Sequence, residues 1–267
     1  MRSIFLIVLA VVETASAGFE HREAGGRSRA VGGAVSGLTG DVYAVGYNAG
    51  ALAVITANEI SFFYEPGSYG IPELSYRGAV GAIPASFGVI GLKASRFGFD
   101  LYRESEFRIA FARDVGDLGI GLSISWYSVA IENYGSGGAL GIDAGLLIPV
   151  SDALTSGIAL RNINAPAAGP SGEELPQSFS LGIAYAPFES MKLLLDYGKE
   201  TGFDASPKIG FEYRLDESIS LRAGASDAPS LTTMGVGVRF SALEFDYALS
   251  SHPDLGWSHQ ASLTIRW

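Results

Sequence analysis

Short segments in which large apolar residues alternate with small or polar residues make up most of the chain. Residues 117–128 show the pattern most clearly, and their large side chains on one face are Leu118, Ile120, Leu122, Ile124 and Trp126. The other face carries Gly119, Gly121, Ser123 and Ser125. This strict period of two predicts β-strands with two unlike faces.

The same alternation recurs at short intervals from residue 58 to the end of the chain. It predicts strands at 58–65, 74–83, 86–95, 104–113, 117–128, 138–149, 153–161, 177–186, 190–199, 207–215, 218–225, 232–240, 243–250 and 258–267. The large face is consistently apolar, whereas the other face is mostly glycine, serine, alanine or a charged residue. The sequence therefore predicts an all-β fold of about fourteen strands.

Composition indicates which face of these strands points inward. The chain has 35 glycines and 48% hydrophobic residues, and its mean hydropathy is +0.25. In a soluble β-sandwich the apolar faces would form the core and the polar faces would meet water. In an outer-membrane barrel the apolar faces meet lipid and the polar faces line the lumen. Small residues suit a crowded interior better than a soluble surface, so we expect a transmembrane antiparallel β-barrel in contact with outer-membrane lipid.

The connections between the predicted strands alternate in length. The connections after even-numbered strands are tight, whereas those after odd-numbered strands are longer, up to residues 162–176. Short periplasmic turns and longer external loops are typical of barrels in the outer membrane of Gram-negative bacteria. The last strand would then run toward the periplasm, and we expect Trp267 in the aromatic girdle at that interface.

The first residues and the overall charge place further limits on the function. Arg2, the apolar run 4–12 and the small residues Ala15 and Ala17 predict a cleaved signal peptide over residues 1–17. The chain contains no cysteine, so we expect no disulfide framework. The net charge of −10 and the lack of a basic stripe argue against a nucleic-acid partner.

Residues 18–57 do not alternate, and we expect a plug inside the lumen or a periplasmic tail, followed by the barrel at 58–267. The stretch 30–52 resembles the N-terminal region of the long-chain fatty-acid transporter (FadL) and PorV–PorQ group of outer-membrane proteins. The resemblance lies in a glycine turn with Gly32 and Gly33, in the acidic Asp41, and in Asn48 with Leu52. The chain departs from the group at Ala49, where the group has proline, and in the order Gly50–Ala51.

The resemblance implies a barrel whose N-terminal segment plugs the lumen. In the transporter branch it also implies passive transport of small hydrophobic molecules, which is the expected function. In the PorV–PorQ branch it implies an accessory role in protein secretion or surface attachment, with secretion-system proteins as partners. This second function stays open as the alternative.

Catalytic, cofactor and metal motifs are not found in the sequence. Its three histidines are His21, His252 and His259. His252 lies in SSHPD, but neighbouring loop residues do not form a triad, which needs groups that converge from different elements. We therefore predict a protein that is not an enzyme and uses no cofactor or metal.

The predicted strand register turns many charged residues toward the lumen. Six of them are expected to carry the main interactions there: Asp143, Asp196, Arg222, Arg239, Glu244 and Asp246. Opposite charges on neighbouring strands, such as Arg239 beside Glu244 and Asp246, predict ion pairs and contacts with the plug. Two interpretations remain, a structural network and a polar permeation path.

Two further features bear on transport. Alternation fails in the third strand next to Gly88 and Gly91, which predicts a bulge or bend. In the transporter branch a kinked strand opens the wall sideways, and we assign that role to this strand as a hypothesis. A second hypothesis places an external binding site for a hydrophobic molecule at Phe97, Phe99, Leu101 and Tyr102.

Overall fold

The structure, a computed structural model, describes residues 18–168 and 173–267. The predicted signal peptide lies outside the described residues. Fourteen antiparallel strands form a closed barrel in which each strand pairs with its neighbours in sequence, and the first strand pairs with the last. No helix in the described residues is long and apolar enough to cross a membrane. The predicted all-β barrel is confirmed.

The barrel strands follow closely from the period-two pattern. They are β1 Glu59–Glu65, β2 Tyr76–Ala85, β3 Gly88–Gly98, β4 Tyr102–Val115, β5 Leu118–Ile131, β6 Gly135–Ser151, β7 Leu154–Arg161, β10 Ser178–Phe188, β11 Met191–Glu200, β12 Ser206–Arg214, β13 Ile219–Ser226, β14 Leu231–Phe240, β15 Leu243–His252 and β16 Gly256–Arg266. The loop between β7 and β10 holds a small hairpin, β8 Ala167–Ala168 and β9 Glu173–Glu174. Strands β4 to β6 run longer than the alternation predicts.

The two faces of the strands have opposite burial. On β5, Ile124 is 56% exposed, whereas its neighbour Ser125 is fully buried. The same reversal holds on β4, where Phe107 is exposed and Arg108 is buried. An outer surface of large apolar side chains is stable in lipid and not in water. The barrel is therefore an outer-membrane barrel, as the alternation predicts.

Backbone pairing at both ends of the chain closes the cylinder. Asn58 and Trp267 exchange both backbone hydrogen bonds at 3.1 Å, which continues the ladder between β1 and β16. The Trp267 side chain is exposed on the rim at the short-turn end. Its place in an aromatic girdle stays a prediction.

The N-terminal segment contains short helices only. They are α1 Gly26–Ala30, α2 Ala44–Tyr47 and a 3-10 helix at Ala49–Val54, and two more 3-10 turns follow β1 at Ser68–Gly70 and Pro72–Leu74. Most apolar residues of the segment are almost completely buried, including Val31, Val45 and Leu52. They pack against inward-facing residues of the strands, among them Leu147 on β6 and Leu194 on β11.

The bulge predicted in the third strand is wrong. β3 keeps an unshifted register with β2 from Gly88 to Phe97 and with β4 from Val89 to Gly98. Position 91 requires glycine for a different reason: a Cβ atom there would lie 2.7 Å from Leu52 and 2.9 Å from Val45 of the N-terminal segment. Gly88 has a φ of 146° beside the turn, which a side chain would strain. These two glycines therefore accommodate packing and a turn, and the wall is closed at this strand.

Candidate functional site

Glycines on the inward faces let the N-terminal segment approach the barrel wall at backbone distance. A Cβ atom at Gly210 on β12 would lie 2.7 Å from the carbonyl oxygen of Val31, and one at Gly145 on β6 would lie 2.7 Å from the nitrogen of Ala49. Real Cβ atoms do not approach other atoms so closely, so no larger residue fits at either position without movement. The segment thus contacts the inner faces of strands that lie on different sides of the cylinder.

The glycine turn of the predicted plug motif ends α1. Gly32 and Gly33 both have left-handed φ values, 68° and 71°, which only glycine adopts without strain. The nitrogen of Gly33 donates to the carbonyl oxygen of Ser28 at 3.0 Å, and that of Gly32 donates to Arg29 at 3.2 Å. The turn reverses the chain next to β12 and β13, because a Cβ atom at Gly32 would lie 2.9 Å from the nitrogen of Ala225.

Asn48 joins two parts of the segment to the wall. Its side-chain amide donates to the carbonyl oxygen of Ser36 at 2.7 Å and to that of Leu146 on β6 at 3.0 Å. Its side-chain oxygen accepts the N–H of Gly50 at 3.0 Å and so caps the 3-10 helix. Since Asn48 is 1% exposed, these bonds satisfy a polar group that burial would otherwise penalise.

Asp41 has a local role in the segment. Its carboxylate accepts the N–H of Tyr43 at 2.9 Å, and Arg27 lies 3.8 Å from its other oxygen. Arg27 in turn binds Glu212 of β12 through two hydrogen bonds of 2.8 Å. The ion pair between Arg27 and Glu212 joins the segment to a barrel strand. Contacts of this kind were predicted from the charged residues that face the lumen.

Arg222 is the centre of a buried ion network near the short turns. It donates to Glu212 at 2.6 Å and to Asp246 at 2.6 Å, and it lies 3.6 Å from Glu244. Arg239 donates to Glu244 at 2.8 Å, although its side chain is 49% exposed. The structure therefore brings four of the six singled-out lumen charges together, and Arg27 joins them from the segment.

The other two lumen charges lie in separate clusters. Asp143 on β6 pairs with Arg108 on β4 at 2.7 Å and accepts the N–H of Asn162 at 2.8 Å. Asp196 on β11 accepts the N–H groups of Val35 and Ser36 at 3.1 Å and 2.9 Å. Asp143 therefore ties down the start of a loop, whereas Asp196 holds the N-terminal segment.

A cavity of about 620 Å³ lies at the loop end of the barrel, above the segment. Aromatic side chains form part of its wall, including Tyr47, Tyr76, Phe97 and Tyr102. Phe99 and Leu101 do not line it, and both are exposed past the end of β3. The structure thus separates the four residues of the predicted external site into two lining residues and two surface residues.

Charged side chains complete the cavity wall. The guanidinium carbon of Arg22 lies 3.5 Å from the centre of the Phe97 ring, and Arg22 pairs with Glu104 at 2.7 Å. Glu23 pairs with Lys208 at 3.2 Å. Burial has the largest single effect on the pKa of the Glu23 carboxyl and raises it, but the charges of Lys208, His21 and Arg29 together with a backbone hydrogen bond outweigh burial, and the pKa falls to about 2. The cavity therefore combines an aromatic wall with compensated charges.

The outer part of β6 lacks a barrel strand on one edge, a feature that the strand pattern did not predict. β7 pairs with β6 only from Ala144 inward, so the outer part of β6, residues 135–143, has no barrel strand on one edge. The following loop covers that edge. The side chain of Asn164 accepts the N–H of Ile142 and donates to the carbonyl oxygen of Leu140, both at 2.8 Å, and the backbone N–H of Ile163 donates to the carbonyl oxygen of Ile142 at 2.9 Å. In the sequence, only the unusual length of the connection 162–177 indicated that this edge differs from the others.

The three histidines do not form a catalytic arrangement. His21 lies in the segment beside Arg161, His252 accepts the N–H of Asp254 in its own loop, and His259 bonds Tyr247. Within residues 18–168 and 173–267, no group of histidine, aspartate and glutamate side chains could hold a metal ion.

Comparison with known proteins identifies the fold. No protein-family model and no curated protein matches the chain. The toluene transporter TodX of Pseudomonas putida superposes with a TM-score of 0.67 at 14% identity, covering 93% of this chain and 98% of that chain. The toluene transporter TbuX of Ralstonia pickettii gives 0.67 at 14% identity, with 91% and 97% covered. A Pseudomonas aeruginosa FadL homologue gives 0.65 at 14% identity, with 94% and 99% covered. The chain shares the barrel fold of these proteins.

Proposed function

We propose that this barrel lets small hydrophobic molecules pass the outer membrane passively, without an energy source. The observation that carries the proposal is the cavity of about 620 Å³ at the loop end, whose volume fits a small ligand. Two proteins that share the fold are described as toluene transporters. The resemblance of the glycine turn, Asp41 and Asn48 to the transporter group supports the same assignment.

The aromatic wall provides the binding surface for such a molecule. Phe97 and Tyr102 come from the strand ends, whereas Tyr47 comes from the N-terminal segment. Flat aromatic faces bind apolar molecules through their large contact area. Arg22 lies over one face of the Phe97 ring, so that face is not open to a ligand. A hydrophobic ligand would thus enter between the external loops and bind against these rings.

The N-terminal segment acts as a plug in this proposal. Buried side chains and backbone of residues 18–57 contact the inward faces of β5, β6, β12 and β14. The contacts support a segment that blocks direct passage of a hydrophobic ligand to the periplasm. Such a ligand would instead leave sideways into the lipid, and the outer edge of β6, which has no barrel strand beside it, is our candidate exit.

Uptake of an apolar fluorophore by intact cells tests this function. N-phenyl-1-naphthylamine fluoresces when it reaches apolar surroundings, and lipopolysaccharide otherwise excludes it. Cells that carry the protein should take it up faster than cells with an empty vector. Phe97→Ala should lower the rate about fivefold, because an aromatic contact contributes about 1 kcal/mol. Phe99→Ala is the matched control, since this ring lies outside the cavity, and it should leave the rate unchanged.

Other outcomes would reject the proposal. Uptake no faster than with the empty vector would refute transport, and equal effects of the two phenylalanine variants would refute the assigned cavity. If the barrel took up no fluorophore but purified with a stoichiometric partner protein, the secretion alternative would replace it. Of the similar structures reported above, two are described as toluene transporters and one as a FadL homologue, and none as a secretion component.

A further inference from the structure

Two cavities whose walls include charged side chains lie at opposite ends of the same three strands. The outer cavity is lined on β11, β12 and β13 by the inward residues Asp196, Lys208 and Ser226. A second cavity of about 220 Å³ opens near the short turns. It is lined on the same strands by Lys192, Glu212 and Arg222. The lumen therefore has a charged compartment on each side of the N-terminal segment.

A single layer of inward residues separates the two cavities. It consists of Leu194, Gly210 and Gly224, which line neither cavity and pair with one another in register across β11, β12 and β13. From Lys192 to Asp196 the strand advances four residues, or about 13 Å at 3.3 Å per residue. The separation is thus about one to two side chains thick.

The segment, and not the barrel, fills most of this layer. Val31 and Leu38 pack with Leu194 in one buried apolar cluster. The wall contributes glycine at two of its three positions, and Val31 lies in contact range of both of them. Leu194 is the only large wall residue among these three. If residues 31–38 moved away, the two cavities would join.

Polar anchors on both sides of the cluster hold the segment in this position. Thr233 donates to the carbonyl oxygen of Ala30 at 2.9 Å, and Thr155 donates to that of Gly37 at 2.7 Å. Asp196 binds the two N–H groups between them. The closed layer is thus fixed by a few hydrogen bonds from wall side chains.

We propose that the lumen along β11 to β13 is a second route, for small hydrophilic solutes and ions, which the apolar layer of Val31, Leu38 and Leu194 keeps closed. Charged compartments on both sides favour hydrated solutes, and an apolar constriction between them blocks conduction because water does not fill it. This route goes beyond the proposed passage of hydrophobic molecules. It runs along the barrel axis, whereas that passage ends at the outer cavity and the lipid.

Conductance of the full mature chain in planar bilayers, with potassium chloride as the probe, tests the route. The unchanged protein should conduct poorly. Leu194→Ser makes the layer polar and should raise the conductance about tenfold or more, because water then fills the constriction. Leu147→Ser is the matched control, since Leu147 is also 1% exposed but lies in a different apolar cluster, away from the second cavity. It should leave the conductance low.

Further variants keep the test decisive. If Leu194→Ser does not assemble, Val31→Ser changes the same layer from the segment side and should have the same effect. A folded variant of either kind that stays closed would overturn the proposal. An equal rise in Leu147→Ser would also overturn it, because the leak would then be general. Fluorophore uptake in the same variants reports separately on the hydrophobic passage.

Cysteine labelling checks the two compartments independently of conduction. The chain has no cysteine, so each introduced thiol is the only one. A charged, membrane-impermeant thiol reagent should modify Ser226→Cys from the external side and Lys192→Cys from the periplasmic side. Leu38→Cys should resist the reagent from both sides. Labelling of Leu38→Cys as fast as that of the other two would show that no closed layer exists.

Discussion

Gly157 on β7 lies directly against the carbonyl group of Ser36, so that a Cβ atom at position 157 would overlap the oxygen. The same oxygen accepts a hydrogen bond from Asn48 at 2.7 Å. Because Gly157 has no side chain, the carbonyl group of Ser36 can lie against β7 while it accepts the hydrogen bond from Asn48 that joins two turns of the N-terminal segment. Close contacts of this kind between the segment and the wall explain why the inner faces of the strands are rich in glycine.

Gly157→Ala should loosen the segment. The methyl group must displace Ser36, and overpacking of this kind costs about 1–3 kcal/mol. Thermal unfolding should shift to lower temperature, and hydrogen exchange of residues 30–40 should accelerate. Gly198→Ala is the control, because the nearest atom to its Cβ would be 3.7 Å away. Equal effects of the two substitutions would show that the fit at Gly157 is not specific.

Arg222→Met should destabilise the barrel by about 3–5 kcal/mol, because it leaves Glu212 and Asp246 buried without their shared partner. Arg222→Lys should restore little, since one ammonium group does not replace a guanidinium fork that reaches several carboxylates. The measurement is the free energy of unfolding in urea in lipid vesicles. Arg239→Met removes a partner of Glu244 that is half exposed, and it should cost less than about 1 kcal/mol. A small effect at Arg222 would contradict the central role of this residue.

Docking of the first residues of the segment should depend on pH through His21. Burial, followed by the charge of Arg161, holds the pKa of His21 well below its ordinary value of 6.5, with smaller effects of the same sign from Lys208 and Lys93. Glu23 acts in the opposite direction but does not outweigh them. The docked state therefore binds a neutral imidazole, whose Nδ1 accepts from Arg161.

The direction of the pH effect follows from proton linkage. An undocked His21 takes up a proton as the pH falls below about 6.5, whereas the docked one does not, so docking weakens by up to about 1.4 kcal/mol per pH unit. Hydrogen exchange of residues 18–24, corrected for the intrinsic pH dependence, should show this loss between pH 7 and pH 5. His21→Gln keeps a polar side chain without the titration and should give a flat profile. A pH dependence that persists in His21→Gln would assign the effect to another group.

The sequence predicted the strands far better than the contacts between the segment and the wall. Every strand has one face toward lipid and one toward the lumen, and the alternation at residues such as Ile124 and Ser125 reflects this difference. The strands can therefore be recognised from neighbouring residues alone. Gly91 was misinterpreted because a glycine that admits Leu52 from another part of the chain looks the same as one in a bulge. The alternation also does not show where a strand ends, and for this reason Phe99, just past the end of β3, was grouped with Phe97.

The wall beside β6 is the second feature that local patterns could not provide. Residues 139–143 alternate like any paired strand, but their partner on one edge is a loop, which bonds Ile142 through the backbone N–H of Ile163 and the side chain of Asn164. Pairing depends on how far β7 extends, and β7 ends at Arg161. The length of the following connection was the only local indication, and it does not specify which strand loses its neighbour.

Asn164→Ala should open the outer edge of β6, since the Asn164 amide replaces a peptide group of the missing strand. Its loss leaves the N–H of Ile142 without its acceptor and the carbonyl of Leu140 without its donor. Hydrogen exchange of residues 140–143 should accelerate about fivefold to tenfold, because one net hydrogen bond contributes about 1 kcal/mol. Residues 118–126 of β5 should exchange as before. Asn164→Asp keeps the acceptor for Ile142 and should show a smaller effect.

The same variant connects the edge to transport. If hydrophobic molecules leave beside β6, fluorophore uptake should rise in Asn164→Ala together with the exchange rate, because a looser edge separates more often. Faster exchange with unchanged uptake would place the exit elsewhere in the wall. Unchanged exchange would mean that the remaining bonds hold the loop without Asn164, namely that of Ile163 to Ile142 and that of Asn162 to Asp143.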